Sequence, residues 1–177
     1  MMNRAGIRTS GCNDRNWLLI KPLSPFLHIH CQQMFIKLNI IVMLMQFEEL
    51  TKQDLELLEK ARQAIKKRKS KWSSVGAALQ TKNDKVFCGV NIEIECSAPC
   101  SICAEYAAIG TMVSEGETEI KTIVAVSSNR EYSVLPPCGK CRQFISEFGN
   151  PYVIVQVDGQ LKKTRLSELY PLPVVSD

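Results

Sequence analysis

At 177 residues the chain suits one domain with a proper core and is short for two. Its formal net charge of +4 is carried entirely by residues 1–45, where Arg4, Arg8, Arg15, Lys21 and Lys37 face Asp14 alone. The remainder is charge-balanced, which excludes the broad basic footprint of a nucleic-acid binder.

Residues 1–45 differ in composition from the rest of the chain. They hold five of the six methionines (Met1, Met2, Met34, Met43, Met45) and both histidines, His28 and His30. The apolar run at 34–47 is broken by Lys37 and Asn39 and is shorter than the ~20 residues of a membrane span. It lacks a small-residue cleavage site, so neither a membrane segment nor a secretory signal is read here. The His28-x-His30 pair is read as surface, not as a metal pair. We expect 1–45 to be an N-terminal extension, either disordered or upstream of a start at Met43 or Met45, and 46–177 to be the working domain.

Thr51 with Asp54 forms an approximate capping box, and Leu50 with Leu55 a hydrophobic staple, at the start of a first helix. Leu55, Leu58, Ala61 and Ile65 recur at helical spacing, with Leu57 and Ala64 widening the stripe. The basic run from Lys66 to Lys71 reads as a solvated helix end, where cations suit the dipole. Val75–Thr81 and Val86–Ile94 read as a hairpin around Lys82-Asn83-Asp84-Lys85. A helix is expected from about Ser101 to Ser114, closed by Gly116, then a strand over Ile120–Ser127. Ser128–Pro137 reads as a loop into a helix from Cys138 to about Phe148, with Pro136-Pro137 at its entrance. Tyr152–Val157 and Leu161–Arg165 make a last strand pair, followed by a short helix at Ser167–Tyr170. The order α-β-β-α-β-α-β-β predicts a mixed five-stranded sheet flanked by helices.

Two stretches carry chemistry: Cys103-Ala104-Glu105 and Pro137-Cys138-Gly139-Lys140-Cys141-Arg142-Gln143. Without a secretory signal, eight cysteines point to metal binding in a reducing compartment before disulfides, and the location expected is cytoplasmic. A catalytic zinc takes three protein ligands and leaves a fourth corner for water; Cys103, Cys138 and Cys141 supply three thiolates. Glu105, two residues past Cys103, is placed to handle that water's protons. Both stretches start helices, whose N-termini stabilise thiolates. The competing reading is a closed four-thiolate structural module, Cys100-x2-Cys103 with Cys138-x2-Cys141. Its spacer is longer than the ~15–20 residues of common zinc ribbons. Arg142 and Gln143 either brace the second of these helices or cover its surface. Cys88 reads as a small core residue, while Cys96 and Cys100 are loop core or substrate-facing.

In these motifs the sequence resembles the cytidine deaminase family, from about Leu50 to Pro171. Val75-Gly76-Ala77-Ala78-Leu79 and Gly89-Val90-Asn91-Ile92-Glu93 look like the family's two preceding strands. The resemblance implies a three-layer α/β fold, zinc held by Cys103, Cys138 and Cys141, and Glu105 as proton shuttle. It implies that Asn91 and Glu93 bind the sugar hydroxyls of a small nucleoside, with neither nucleic acid nor membrane as partner. A homotetramer or homodimer is the implied assembly, and hydrolysis of cytidine or deoxycytidine to the uridine form plus ammonia, within pyrimidine salvage, is the implied reaction. Three features depart from the family pattern. Ser73 stands where it has an aromatic residue that packs on the pyrimidine, Tyr106 replaces the Arg after Cys-Ala-Glu, and the loop Glu95–Ile102 is its own. Ser73 and the Gly110-bearing helix look more like blasticidin S deaminase, a relative acting on a modified cytosine nucleoside. Nucleic-acid-editing deaminases commonly use His-x-Glu, and no histidine follows His30. Truncation to Met45 is expected to leave folding and activity intact; an insoluble or inactive product rejects the proposed boundary.

Overall fold

The computed structural model describes residues 45–67 and 72–174. The expectations for residues 1–44, His28 and His30 among them, and for the basic run beyond Lys67 lie outside the described residues. In chain order the elements are α1 (Lys52–Lys66), β1 (Val75–Thr81), β2 (Val86–Val90), α2 (Ala104–Ser114), β3 (Ile120–Ser127), β4 (Ser133–Leu135), α3 (Gly139–Ser146), β5 (Tyr152–Val157), β6 (Gln160–Arg165) and α4 (Leu166–Leu169). Single 3-10 turns occupy Ala98–Cys100 and Ser128–Arg130.

The sheet runs β2-β1-β3-β5-β6, with β3 and β5 parallel and the other neighbours antiparallel. Its central strands are buried on both faces, so they read as continuous apolar runs and not as alternation. Ala78, Val124, Val126 and Ile154 face Leu57, Leu58, Ala61 and Ile65 of α1. On the opposite face Ala77, Leu79, Ile123, Ala125, Val153 and Val155 meet Ala104, Ala108, Ile109 and Met112 of α2 and Cys141 and Ile145 of α3. The result is the expected three-layer arrangement, one helix on one side and the two cysteine-bearing helices on the other.

Two glycines set how closely the outer layers sit. A Cβ on Gly76 would lie 2.5 Å from the Ala61 carbonyl oxygen, and one on Gly89 would lie 2.3 Å from the Ala108 nitrogen. Each helix therefore rests on strand backbone, α1 at Gly76 and α2 at Gly89.

The sheet has a sixth strand where a loop is expected. Glu131 and Tyr132 both take left-handed backbone conformations, at φ 52° and 59°. They turn the chain so that Ser133–Leu135 pairs back on Ala125–Ser127. β5 pairs with β3 at Thr122 and Ile123, and β4 pairs further along the same edge, at Ala125–Ser127. Three residues with one buried apolar position are too short to show a strand period. β2 also ends earlier than expected, at Val90, because the Asn91 side chain accepts the Ser74 and Val75 amides, each at 2.7 Å.

The capping box at Thr51 is complete, with Asp54 bonded to the Thr51 amide and hydroxyl. Leu55, expected in the buried stripe and the staple, is 50% exposed; Asp54 is the residue turned inward. Asp54 receives the Lys163 ammonium of β6 at 2.8 Å, both side chains buried, which ties α1 to the far edge of the sheet. Burial alone would raise the Asp54 pKa, but hydrogen bonds from Lys163 and Thr51 outweigh it and hold the carboxyl below its usual range. The stabilisation is therefore full above the unfolded carboxylate's pKa, about 4, and is lost as pH falls through the lower folded value. Asp54→Ala is expected to cost about 3 kcal/mol at neutral pH, the scale for breaking a buried pair. Urea midpoints should show that deficit shrinking on acidification below about pH 4.

Candidate active site

Cys103 and Cys138 are the N-cap residues of α2 and α3, in extended backbone conformation, and neither side chain bonds to its own helix start. The two sulfurs are left to face the space between the helices, and Cys141, in the first turn of α3, joins them. The three Sγ atoms lie within 4.8 Å of one another. Thiolates 2.3 Å from a single zinc at tetrahedral angles sit about 3.8 Å apart, so this set fits the ion with small adjustments. Cys100 is outside the group: its sulfur lies 3.2 Å from the Ser97 hydroxyl in the exposed 3-10 turn. Among the described residues the group has three thiols, not the four of a closed structural module. The six described cysteines, Cys88, Cys96, Cys100, Cys103, Cys138 and Cys141, all carry free thiols.

The approach to Cys103 differs from the sequence expectation. Ser101 and Ile102 are not helical; Ile102 bridges to Ile92 with backbone hydrogen bonds in both directions. The Ser101 hydroxyl accepts the Ile94 amide at 3.0 Å. These contacts stitch the loop to the continuation of β2 and delay the helix start to Ala104.

Glu105 is only 8% exposed, in the first turn of α2. Burial raises its pKa, opposed by its own backbone N–H and by hydrogen bonding from Cys141. Burial likewise pushes up the Cys103 and Cys141 thiols, with the Glu105 charge adding to the rise in both. Burial thus favours the protonated thiols of Cys103 and Cys141, so a cation bound there releases protons.

These groups line a cleft of about 260 Å³ that also includes Val75, Asn91, Glu93, Ser101, Ile102, Leu135 and Pro136. Asn91 is buried, and its amide nitrogen donates to Glu93 Oε1 at 2.8 Å. The Ser74 hydroxyl donates to the same Glu93 oxygen at 3.1 Å. Asn91 therefore locks the strand junction and, with Ser74, holds the exposed Glu93 carboxylate through Oε1. Ser73 is buried and is not among the cleft residues. Arg142 and Gln143 brace α3: Arg142 donates to the Pro137 and Leu169 carbonyls, and Gln143 binds the Tyr170 hydroxyl and both backbone groups of Val174. The sequence pattern also missed the apolar wall of Leu135 and Pro136, which exists because β4 brings them to the cleft.

Residues 51–157 match the family model described as the cytidine and deoxycytidylate deaminase zinc-binding region. The chain belongs to that family. Its members are zinc-dependent hydrolytic deaminases, and this chain is such an enzyme, with zinc as the cofactor that its three-thiol group suits. Among curated relatives, a blasticidin-S deaminase from Bacillus cereus is 37% identical over 131 residues, covering 70% of this chain and 93% of the relative. A probable cytidine deaminase from Dictyostelium discoideum is 43% identical over 98 residues, covering 55% of this chain and 65% of the relative. The crystal structure of cytidine deaminase from Burkholderia pseudomallei superposes with TM-score 0.58 at 30% identity, over 71% of this chain and all of that one. The Mycobacterium tuberculosis cytidine deaminase gives 0.59 at 25% identity, over 72% of this chain and all of that one. No described helix is long and apolar enough to cross a membrane. Cys100→Ser is expected to leave the zinc content of purified protein unchanged and Cys141→Ser to abolish it, measured by atomic absorption.

Proposed function

We propose that this deaminase hydrolyses the exocyclic amine of a cytosine nucleoside, using Cys103, Cys138 and Cys141 as zinc ligands and Glu105 as proton carrier. The observation that carries the reading is the meeting of three free thiols and a buried carboxyl at two helix N-termini in one cleft. Bound by those thiolates, zinc supplies the Lewis acidity that brings the pKa of water toward neutrality. The helix N-termini offset the one net negative charge that three thiolates leave on a divalent ion.

Glu105 does the proton work. Its carboxylate accepts a proton from the attacking water and delivers it to the ring nitrogen as the C–O bond forms. It then moves the proton of the new hydroxyl to the amine nitrogen. Ammonia leaves, a carbonyl remains, and Glu105 returns to its starting state. The raised pKa from burial suits a group that must both take and give a proton. The Glu93 carboxylate, held by Asn91 and Ser74, accepts hydrogen bonds from the sugar hydroxyls. A homodimer or homotetramer is the assembly proposed with this activity, and residues 46–177 the part that carries it.

A modified cytosine nucleoside of the blasticidin S type is the second reading. It is favoured by the near-full-length similarity to the Bacillus cereus blasticidin-S deaminase and by the burial of Ser73 away from the cleft. Glu105→Ala is expected to retain zinc while lowering ammonia release from cytidine, deoxycytidine and blasticidin S at least ~1000-fold, the scale of a lost general acid/base. Persistent release rejects the proton-carrier role, and the substrate panel on the wild type separates the two readings.

A further inference from the structure

Beside the cleft, α2 and α3 meet through side chains that the deamination mechanism leaves unused. The Tyr106 ring lies flat on Phe144, with centroids 3.9 Å apart and planes 7° from parallel. Phe148 closes edge-on against Phe144 at 5.5 Å. The Tyr106 hydroxyl donates to the Lys140 carbonyl at 3.4 Å, and Lys140 Nζ stands 4.8 Å over the same ring. Tyr106 thus holds Lys140 at two points, its backbone and its ammonium group. Tyr106 lies three residues past Cys103, and Lys140 lies between Cys138 and Cys141. The contact therefore joins the two turns that carry the sulfurs.

We propose that Tyr106, Phe144 and Lys140 form a clasp that sets the separation of Cys103 from Cys138 and Cys141 and keeps a positive charge beside them. Tyr106 is then a positioning residue for the metal. The stack constrains the orientation of two planes, which a pair of aliphatic side chains does not. A cation over the ring adds attraction and holds Lys140 close to the ligand turns. That charge matters here, because three thiolates on a divalent ion and the Glu105 carboxylate concentrate negative charge in a partly buried space. Groups that orient ligands in this way control metal retention, typically by about 10–100-fold.

The inference rests on the three thiols being the metal ligands, and its test separates the two ideas. Zinc loss from the loaded protein to excess chromogenic chelator is timed, with the urea midpoint of the metal-free protein measured in parallel. Tyr106→Leu is expected to speed zinc loss about tenfold or more, with a smaller change in the metal-free midpoint than a folding defect of that size would give. Tyr106→Phe keeps the stack and is expected to stay within about threefold of the wild type. Lys140→Met is expected to speed loss at low salt, and the difference is expected to fade at high salt. Should Tyr106→Leu fail to fold, Phe144→Leu breaks the same stack from α3, with the same tenfold expectation. Rates within about twofold of wild type for the stack-breaking variant overturn the clasp, and equal damage from Tyr106→Phe overturns the stack as its working part. A wild-type chain that binds no zinc refutes the ligand assignment itself, whereas zinc-binding wild type with unaffected variants refutes the clasp alone.

Discussion

Gathering three thiolates in one cleft with a buried carboxylate is electrostatically unfavourable, and the fold answers it with helix N-termini. Both α2 and α3 begin at a cysteine, so unpaired backbone N–H groups and the positive ends of two helix dipoles point at the place where negative charge collects. Serine or aspartate at an N-cap would turn back to bond its own helix. Cysteine leaves the side chain available for the cleft. The remaining architecture serves to hold these two starts in register. β2 delivers α2 through the stitched loop at Ile92 and Ile102, and β4 delivers α3 through Pro136 and Pro137.

This geometry explains why the reaction class is more sharply defined than the substrate. The groups proposed to handle water and protons come from helix starts seated on a buried sheet. The other residues that line the cleft come from less regular backbone: Asn91 and Glu93 after the end of β2, Ile102 in a loop, and Leu135 and Pro136 at the end of a three-residue strand. Loops of this kind tolerate substitution and insertion better than the elements they join. Family membership accordingly carries the hydrolytic chemistry over, while Ser73 and the Glu95–Ile102 loop are where this chain is its own.

Much of the fold was legible in the sequence because the central strands and α1 have unambiguous periods. The continuous apolar run at Ile120–Ser127 and the box at Thr51 each admit one reading. The cysteine spacing and the nearby Glu105 single out, without reference to fold, three thiols that the structure brings together and a carboxyl that lines the same cleft. The features that local pattern does not encode depend on distant partners. Spacing alone puts Leu55 inside, yet Asp54 takes the inward position because it pairs with Lys163, more than a hundred residues away in sequence. Ser133–Leu135 becomes a strand only because β5 leaves that edge of β3 free. Arg142 and Gln143 gain their meaning from carbonyls in the C-terminal segment. The Tyr106–Phe144 stack joins two helices whose relative placement no local pattern encodes.

The seat of α2 on Gly89 separates two aspects of the enzyme's future. Because helix backbone touches strand backbone there with no side chain between, the height of the sulfur-bearing turn over the sheet is set at that point by main chain and not by a rotamer. Cleft walls such as Ile102 and Leu135 can therefore drift in sequence, and preference for one nucleoside over another can shift, while the reactive centre keeps its coordinates. A lineage built on this scaffold has latitude to acquire new substrates without having to reinvent the chemistry.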